Sequence, residues 1–542
     1  MAKFNTASTK TINSNKTVNH EGEVAYTVSP ELELYMLACT SIFKDKFYTK
    51  AESEFKRIQD LVPKCRPEFV AKLAVYVREK MYLRSMPIVL TNHLANKHNG
   101  DKLVSKTINR VVKRADEITE MLAYYQVINA KKDAVKKLAP LSKQVQKGLA
   151  YVFNKFDEYA FAKYNRKNEV KFRDALFLVH PKAKDANQQE IFDKIVNDTL
   201  KTADTWEAKI SDAGQKAKDK TADEKKQIKT KAWEDQIESW IDYEEVDGEI
   251  KIKYVRNYMA LIRNICNLLK NNVDRKYLEI ASKGIAYKPA VLGSKQLPFR
   301  FYSAFKMICQ EQRRDGYFWG RSIHSVDKDI LANPYTHLFE DALDDAIIHS
   351  IDNIPFMSKD ECILIANDTS GSMSMGLTDT IAMHEIGTLL GVISRKLVQD
   401  STFVGFDSNL SVINVNKKKA NILHTVSDIC SKFQGGATYG HLVLDFALSK
   451  VDTVKYDKIF MFTDMQMYGE RNVQSLWKKY KALVPNCRLY IFDLAGHGQS
   501  PLDIRSQEGV YIISGWSDKI FDVLASIEKG SSIIDEIMKI EL

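Results

Sequence analysis

A chain of 542 residues exceeds what one hydrophobic core ordinarily organises, so two or more domains are expected. With 44% apolar and 27% charged residues it has the composition of a globular protein, not a disordered or fibrous one, and no apolar run reaches the ~18 residues of a membrane helix. The net charge of +9 is modest, but 20 Lys and Arg against 9 Asp and Glu fall between Lys97 and Lys184, leaving the remainder slightly acidic; this points to a polyanionic partner, with a solvated Lys-rich helix face as the plainer alternative.

Residues 1–24, polar from Thr6 to His20, read as a disordered arm. They lack the apolar core of a secretory signal, so a cytoplasmic location is expected. Cys39, Cys65, Cys266, Cys309, Cys362, Cys430 and Cys487 form no C-x-x-C pair and are odd in number, which fits reduced thiols used as small hydrophobes.

From residue 25 to about 350 the pattern is all-α. Phe69, Leu73, Val77 and Met81 recur at helical spacing, as do Val255, Met259, Ile262, Cys266 and Leu269. Serial amphipathic helices cannot bury their faces alone, so a stacked helical repeat is expected. Lys201 to Lys231 reads as a solvated helix pair or an insertion loop. Within the basic stretch, Lys163, Arg166, Lys167, Lys171 and Arg173 interleave with Tyr164 and Phe172, a pattern suited to holding phosphates and stacking on unpaired bases. Leu176, Phe177 and Val179 are expected in the core. His180, before Pro181, reads as a helix-terminal histidine, and Arg300 between Phe299 and Phe301 is either RNA-facing or buried and structural.

After Pro355 short apolar runs alternate with helical spacing: Cys362 to Ala366, Thr402 to Phe406, Lys458 to Thr463, Arg488 to Asp493 and Val510 to Ser514 read as strands. Helices are expected over Thr378 to Val398, Ile422 to Phe433, His441 to Val451 and Lys519 to Lys529. This is the pattern of a doubly wound, Rossmann-like α/β domain over 351–542. The first strand runs into Asp368-Thr369-Ser370-Gly371-Ser372, at the carboxyl end where such sheets bind ligands. Thr438, in the loop Gly435-Gly436-Ala437-Thr438, and Asp464, at a strand end, complete a set of oxygen ligands. Asp368, Ser370, Ser372, Thr438 and Asp464 suit Mg²⁺, or Mn²⁺, as a hard cation that keeps waters. The alternative is that Asp368 and Ser370 cap the following helix. The position that an Asp-nucleophile phosphotransferase fills with a second carboxylate is Ser370, and no His lies in the motif, so no enzyme is expected; a metal-dependent nuclease using Asp368 and Asp464 is the rival reading.

The α/β motif resembles the von Willebrand A domain and its metal-ion-dependent adhesion site. That resemblance implies Ser370, Ser372 and Thr438 as direct ligands, Asp368 and Asp464 as direct or water-mediated ones, and a position left open for a partner's carboxylate. In the helical half, Leu73 to Glu79 with Leu83-Arg84-Ser85-Met86-Pro87, Thr205-Trp206-Glu207 with Lys231-Ala232-Trp233-Glu234, Tyr258 to Asn264, and Leu297 to Phe305 resemble the TROVE module of telomerase, Ro and vault proteins, in its order. Followed by a von Willebrand A domain, this is similar to Ro ribonucleoproteins, in a bacterial- or phage-like form. The resemblance implies a HEAT-like helical ring over 25–350. It implies a basic outer surface for small structured, Y-like RNA, with contacts at Lys163, Lys167 and His180, where Lys167 replaces the Arg of animal members and loses its bidentate geometry. It also implies a central hole for 3′ ends of misfolded RNA, an exoribonuclease partner such as polynucleotide phosphorylase, and a monomer. A protein-interaction scaffold acting through the metal site is the other alternative.

Overall fold

The computed structural model describes residues 15–41, 51–129, 140–165, 170–201, 203–296, 298–309, 330, 332–351, 360–376, 381–398, 400–414, 421–433, 435–469, 472–516 and 519–542. The halves differ in class as expected: stacked helices up to Ile351, then a sheet flanked by helices. Among the described residues no helix is long and apolar enough to cross a membrane.

The helix Pro67–Glu79 shows how the array is built. Proline opens it, where a missing N–H costs nothing, and Phe69, Leu73 and Val77 lie wholly buried, with Met81 tucked in just beyond the end. At its last turn Arg78 donates to both oxygens of Glu117, at 2.7 and 3.0 Å. The wholly buried Glu117 also accepts from the backbone N–H groups of Lys113 and Arg114, at 2.8 and 3.1 Å. Arg84 reaches Asp116 and Glu120, at 2.8 and 2.9 Å. The segments 73–79 and 83–87, which carry part of the family resemblance, therefore stitch one helical layer to the next.

Three expectations are corrected. The stripe from Val255 to Leu269 is not one helix: Val255 ends a strand, and helices Tyr258–Arg263 and Ile265–Lys270 break at Asn264. A hairpin of β3 (Ile241–Val246) and β4 (Glu249–Val255) interrupts the helices, turning at Asp247 and Gly248, both with positive φ. Residues 15–24, expected in a disordered arm, form most of a second hairpin, β1 (Lys16–Val18) and β2 (Val24–Thr27); residues 1–14 lie outside the described set. Lys201 to Lys231 contributes helices Trp206–Lys216 and Ala222–Trp240, anchored by Trp206 packing on the buried Trp233 and Trp240 with ring centroids 6.2 and 6.0 Å apart.

The α/β half holds β5 (Cys362–Asp368), β6 (Asp400–Phe406), β7 (Leu410–Val412), β8 (Lys458–Thr463), β9 (Arg488–Asp493), β10 (Gln499–Ser500) and β11 (Val510–Ser514). The main sheet runs β11-β9-β8-β5-β6-β7, parallel except for the edge strand β7. The expected helices are Met383–Leu397, Ile422–Cys430, His441–Lys450 and Lys519–Glu528, each slightly shorter than its pattern. Helix Met383–Leu397 starts well past Asp368 and is capped by Glu385, so Asp368 and Ser370 do not cap it.

Both ends of the helical array dock on this half. At one end Tyr35 exchanges hydrogen bonds with the backbone of Ser514, Lys72 donates to the Met538 carbonyl at 2.7 Å, and β2 pairs with β10. At the other, Lys306 pairs with the buried Glu385, and the Leu423 N–H donates to Asp344 at 3.0 Å. One continuous apolar core joins the two halves.

The Arg78–Glu117 pair generates a stability prediction. Removing one partner of a buried pair strands the other charge, at a cost of about 3–5 kcal/mol. Arg78→Met should lower the stability of the helical half by that order, read as a shifted midpoint in urea unfolding, whereas Arg78→Met with Glu117→Leu should recover much of the loss.

Candidate functional site

Asp368 ends β5 and Asp464 follows β8, adjacent central strands at the point where the chain leaves the sheet in opposite directions. Such a switch point opens a crevice at the carboxyl ends of the strands. Both side chains are buried. Asp368 accepts from the Ser370 backbone N–H at 3.0 Å and from the Thr463 hydroxyl at 2.6 Å. The Ser370 and Ser372 hydroxyl oxygens lie 3.2 Å apart. Asp464 accepts from the Gln466 N–H at 3.0 Å through Oδ1, while its Oδ2 is buried with no hydrogen-bond partner found among the described residues. The Ser372 hydroxyl lies close enough to Asp464 to favour its charged form.

Thr438 is buried in the neighbouring loop. The Gly371 N–H donates to the Gly436 carbonyl at 3.0 Å, and the Tyr468 N–H to that of Thr438 at 2.9 Å, tying the loop to both acidic segments. The glycines are required: Gly435 has φ +77°, and a Cβ on Gly436 would lie 2.7 Å from the Ser408 hydroxyl. The structure thus gathers Asp368, Ser370, Ser372, Thr438 and Asp464 into one crevice. Burial, and then the charge of Asp464, pushes the Asp368 carboxyl well above its usual range. Burial pushes Asp464 up as well, opposed by Ser372 and Gln466. Two buried carboxyls, one with an orphaned oxygen, among hydroxyls make a donor set that fits a hard divalent cation. Among the described residues no three His, Cys, Asp or Glu side chains cluster as metal ligands, so the serine and threonine hydroxyls are integral to any such site.

Sequence reasoning missed Thr463, which orients Asp368. It also missed Asp407, which accepts from Thr369 at 3.1 Å. No local signal marks either, because both act through a register that only the assembled sheet creates.

The basic segment occupies the helices Glu158–Tyr164 and Phe172–Val179. Lys163 is exposed, its ammonium 5.7 Å from the centroid of the Tyr164 ring. Tyr164 is half-buried, with the Arg114 guanidinium 4.4 Å over its face. Lys171 and Arg173 are exposed at the start of the second helix, and His180 is its exposed C-cap with φ 48°. That left-handed turn gives His180 a helix-terminal backbone role while freeing its ring. Arg166 and Lys167 lie outside the described residues. Phe177, expected in the core, is 52% exposed beneath Arg173, because the apolar face of this short helix is Phe172, Ala175 and Val179. Tyr151 and Tyr159, which no sequence pattern singles out, are also exposed, at 63% and 49%. Lys143, Lys147, Lys163, Lys171, Arg173 and Lys182 are exposed without an acidic partner among the described residues. Arg300 reaches water, 5.0 Å from the Phe299 ring, yet enough protein crowds it that burial, then the charge of Arg263, lowers its pKa. A partly crowded arginine near a second arginine makes this spot electropositive.

Residues 36–254 match the TROVE domain family. The telomerase protein component 1 of Mus musculus is 28% identical over 109 residues, 20% of this chain and 3% of that protein. Its Rattus norvegicus counterpart is 22% identical over 289 residues, 44% of this chain and 11% of that protein, so the chain spans only a small part of these relatives. The crystal structure of the Deinococcus radiodurans Ro (RSR) protein superposes with a TM-score of 0.57 at 15% identity, over 92% of this chain and 100% of that one. This likeness carries the fold, a helical array followed by a von Willebrand A-like domain.

The buried acidic pair sets a pH dependence. Both carboxyls have folded pKa values raised above their unfolded ones. The stability they contribute is therefore full below the unfolded carboxylate range and is lost as pH rises through the raised values. In EDTA, Asp464→Asn should raise the melting temperature at pH 7.5, and the gain should shrink towards pH 4. A calorimetric comparison at both pH values checks it; an equal gain at both would show that charge is not the cause.

Proposed function

We propose an RNA-binding function for this chain, whose residues 36–254 match the TROVE domain family and whose fold is like that of a Ro protein: small structured, non-coding Y-like RNA held on the basic outer face of the helical array. The observation that carries this reading is the juxtaposition of unpaired cations with exposed aromatics between Lys143 and Lys182. A surface phenylalanine under an arginine costs hydration and does nothing for the core. It suits an unpaired base stacked on the ring while Lys163, Lys171 and Arg173 meet phosphates. Arg166, Lys167, Tyr164 and His180 belong to the same contact segment. Arg300, in its crowded setting with Arg263, is the candidate contact for a single-stranded 3′ end entering the opening of a closed ring. In this reading the protein is a non-enzymatic quality-control scaffold for misfolded RNA, and an exoribonuclease of the polynucleotide phosphorylase type would supply the cutting.

The α/β domain is assigned a separate role. Asp368, Ser370, Ser372, Thr438 and Asp464 would hold Mg²⁺ or Mn²⁺, which supplies a Lewis-acidic position for a partner's carboxylate. The orphaned Asp464 oxygen supports this assignment.

Filter binding of a small structured RNA across 50–200 mM salt tests the first assignment. Lys163→Ala and Lys171→Ala should each flatten the log–log salt slope by about 0.7–0.9. Phe177→Ala should cost about 1–3 kcal/mol with the slope unchanged. Unchanged affinity in all three removes the segment as an RNA contact.

A second measurement separates the halves. Saturating Mg²⁺ should raise the melting temperature of the normal protein but not of Asp368→Ala, and Asp368→Ala should keep its RNA affinity within a few-fold. RNA binding abolished by EDTA would instead place the metal in the RNA site.

A further inference from the structure

Helical spacing from Ala222 puts Lys225, Lys226 and Lys229 on one face of helix Ala222–Trp240. That face is one wall of a cleft of about 540 Å³. A second wall is made by Lys270, Asn271 and Asn272, where helix Ile265–Lys270 ends. The walls are braced against each other. The Thr230 hydroxyl donates to the Asn271 carbonyl at 2.5 Å, and the Asn333 side chain to the Leu269 carbonyl at 2.9 Å. The Asn271 side chain is held on the Asn267 carbonyl at 2.7 Å. Asn272 turns the chain with φ 48°, and its amide faces the cleft with no hydrogen-bond partner among the described residues.

Four lysines line this cleft, and no Asp or Glu does among the described residues. Other lysines of the same helix pair find acidic partners: Lys209 with Asp204 at 3.2 Å, Lys216 with Asp212 at 2.7 Å and Lys231 with Asp235 at 3.0 Å. Lys225, Lys226 and Lys229 have none among the described residues. The carboxylates nearby in sequence are committed elsewhere. Glu224 accepts from the N–H and the hydroxyl of Thr221, at 2.9 Å each. Glu234 accepts from the Asp274 N–H at 3.3 Å, and Asp223 faces the adjoining cleft. A helix face kept only for solubility gains nothing from crowding unpaired cations around a concavity, where their repulsion is focused rather than screened. An anion seated among them turns that repulsion into attraction.

We propose that this cleft is a binding site for a compact polyphosphate anion, the triphosphate group that a free nucleoside triphosphate and a 5′-triphosphorylated RNA end have in common. Its volume is that of a small-ligand site. A phosphodiester backbone spreads one charge per nucleotide over a longer path, whereas a triphosphate brings several charges into one such space. Lysines meet phosphate oxygens as point charges that need no fixed geometry, and the Asn272 amide adds a neutral donor. The site lies on a different helix pair from the Lys143–Lys182 segment and does not depend on the RNA assignment made above.

The test measures binding of inorganic tripolyphosphate to the full chain by titration calorimetry at about 50 mM salt, where exposed charges are weakly screened. The normal protein should bind it. Lys225→Gln combined with Lys229→Gln should weaken binding by about tenfold or more. Lys147→Gln combined with Lys182→Gln, which removes the same charge from the other basic segment, should change affinity by no more than about threefold. Two further ligands identify the source. If a 5′-triphosphorylated RNA binds more tightly than the same RNA with a 5′-hydroxyl, and the first double variant loses that advantage, the occupant is an RNA end. If ATP binds with the same loss and the two RNAs do not differ, it is a free nucleotide. Absence of tripolyphosphate binding, or equal weakening by the two double variants, overturns the proposal. If tripolyphosphate fails to bind while the 5′-hydroxyl RNA is weakened by the first double variant, the cleft is an ordinary backbone contact and the proposal is wrong.

Discussion

A stack of helices has two ends, and each end leaves an apolar face that the next helix would have covered. Solubility requires a cap at both, and here one α/β domain supplies the two caps. At the first end the fit is close enough to dictate backbone conformation. Gly496 has φ +73° and packs against Thr40 and the Met36 carbonyl, while a Cβ on Gly515 would lie 2.7 Å from Met81. The Arg57 guanidinium closes the same contact on the Gly496 carbonyl at 2.9 Å. At the second end the join is polar and buried, with Tyr302 and Lys306 converging on Glu385. Glu385 also accepts from the Ala382 N–H, so the contact that docks the array caps the helix leading away from the D-x-S-x-S loop. The relative placement of the basic segment and the Asp368–Asp464 crevice follows from these two joins.

The crevice shows why function concentrates where a sheet changes direction. Central parallel strands are buried on both faces, so a carboxylate at the end of one is desolvated unless something pairs with it. β5 and β8 each end in such a carboxylate, side by side. The protein meets part of the cost with the Thr463 hydroxyl and the backbone N–H groups of Ser370 and Gln466. It leaves one oxygen of Asp464 unmet. An unmet carboxylate oxygen at the end of a central strand suits something positive.

What could be read from the sequence was whatever a local pattern carries. The D-x-S-x-S loop, the glycine pair before Thr438 and the Asp at a strand end sit at fixed offsets from strands, and the structure places all five residues at one crevice. The hairpin at 241–255 was equally legible: Asp247-Gly248 between alternating apolar residues is a strong two-residue turn signal, but helical neighbours on both sides masked it. The break at Asn264 was not legible, since Met259, Ile262, Cys266 and Leu269 keep their spacing across it. Phe177 was misread because an isolated aromatic at helical spacing looks like core whichever way the helix is rolled. The docking of residues 15–27 depends on pairing with Gln499 and Ser500, which no window along the chain contains.

Charge counting has the same weakness, and the structure turns it into something more specific. Part of the positive charge between Lys97 and Lys184 is engaged within the scaffold. Arg110 and Lys113 pair with Glu79, and Arg114 pairs with Asp116. Lys155 is turned onto backbone carbonyls and its pKa is lowered by burial to about 8. Those groups hold helices together and offer little to a polyanion. Among the described residues Lys143, Lys147, Lys163, Lys171, Arg173 and Lys182 face water without a side-chain ion pair, and the exposed rings of Tyr151, Tyr159 and Phe177 lie in the same stretch. A solvated Lys-rich helix face would explain the lysines but has no use for the rings. A protein partner would explain the rings but gains little from cations that meet no counter-charge. A single-stranded or looped nucleic acid uses both, phosphate by phosphate and base by base.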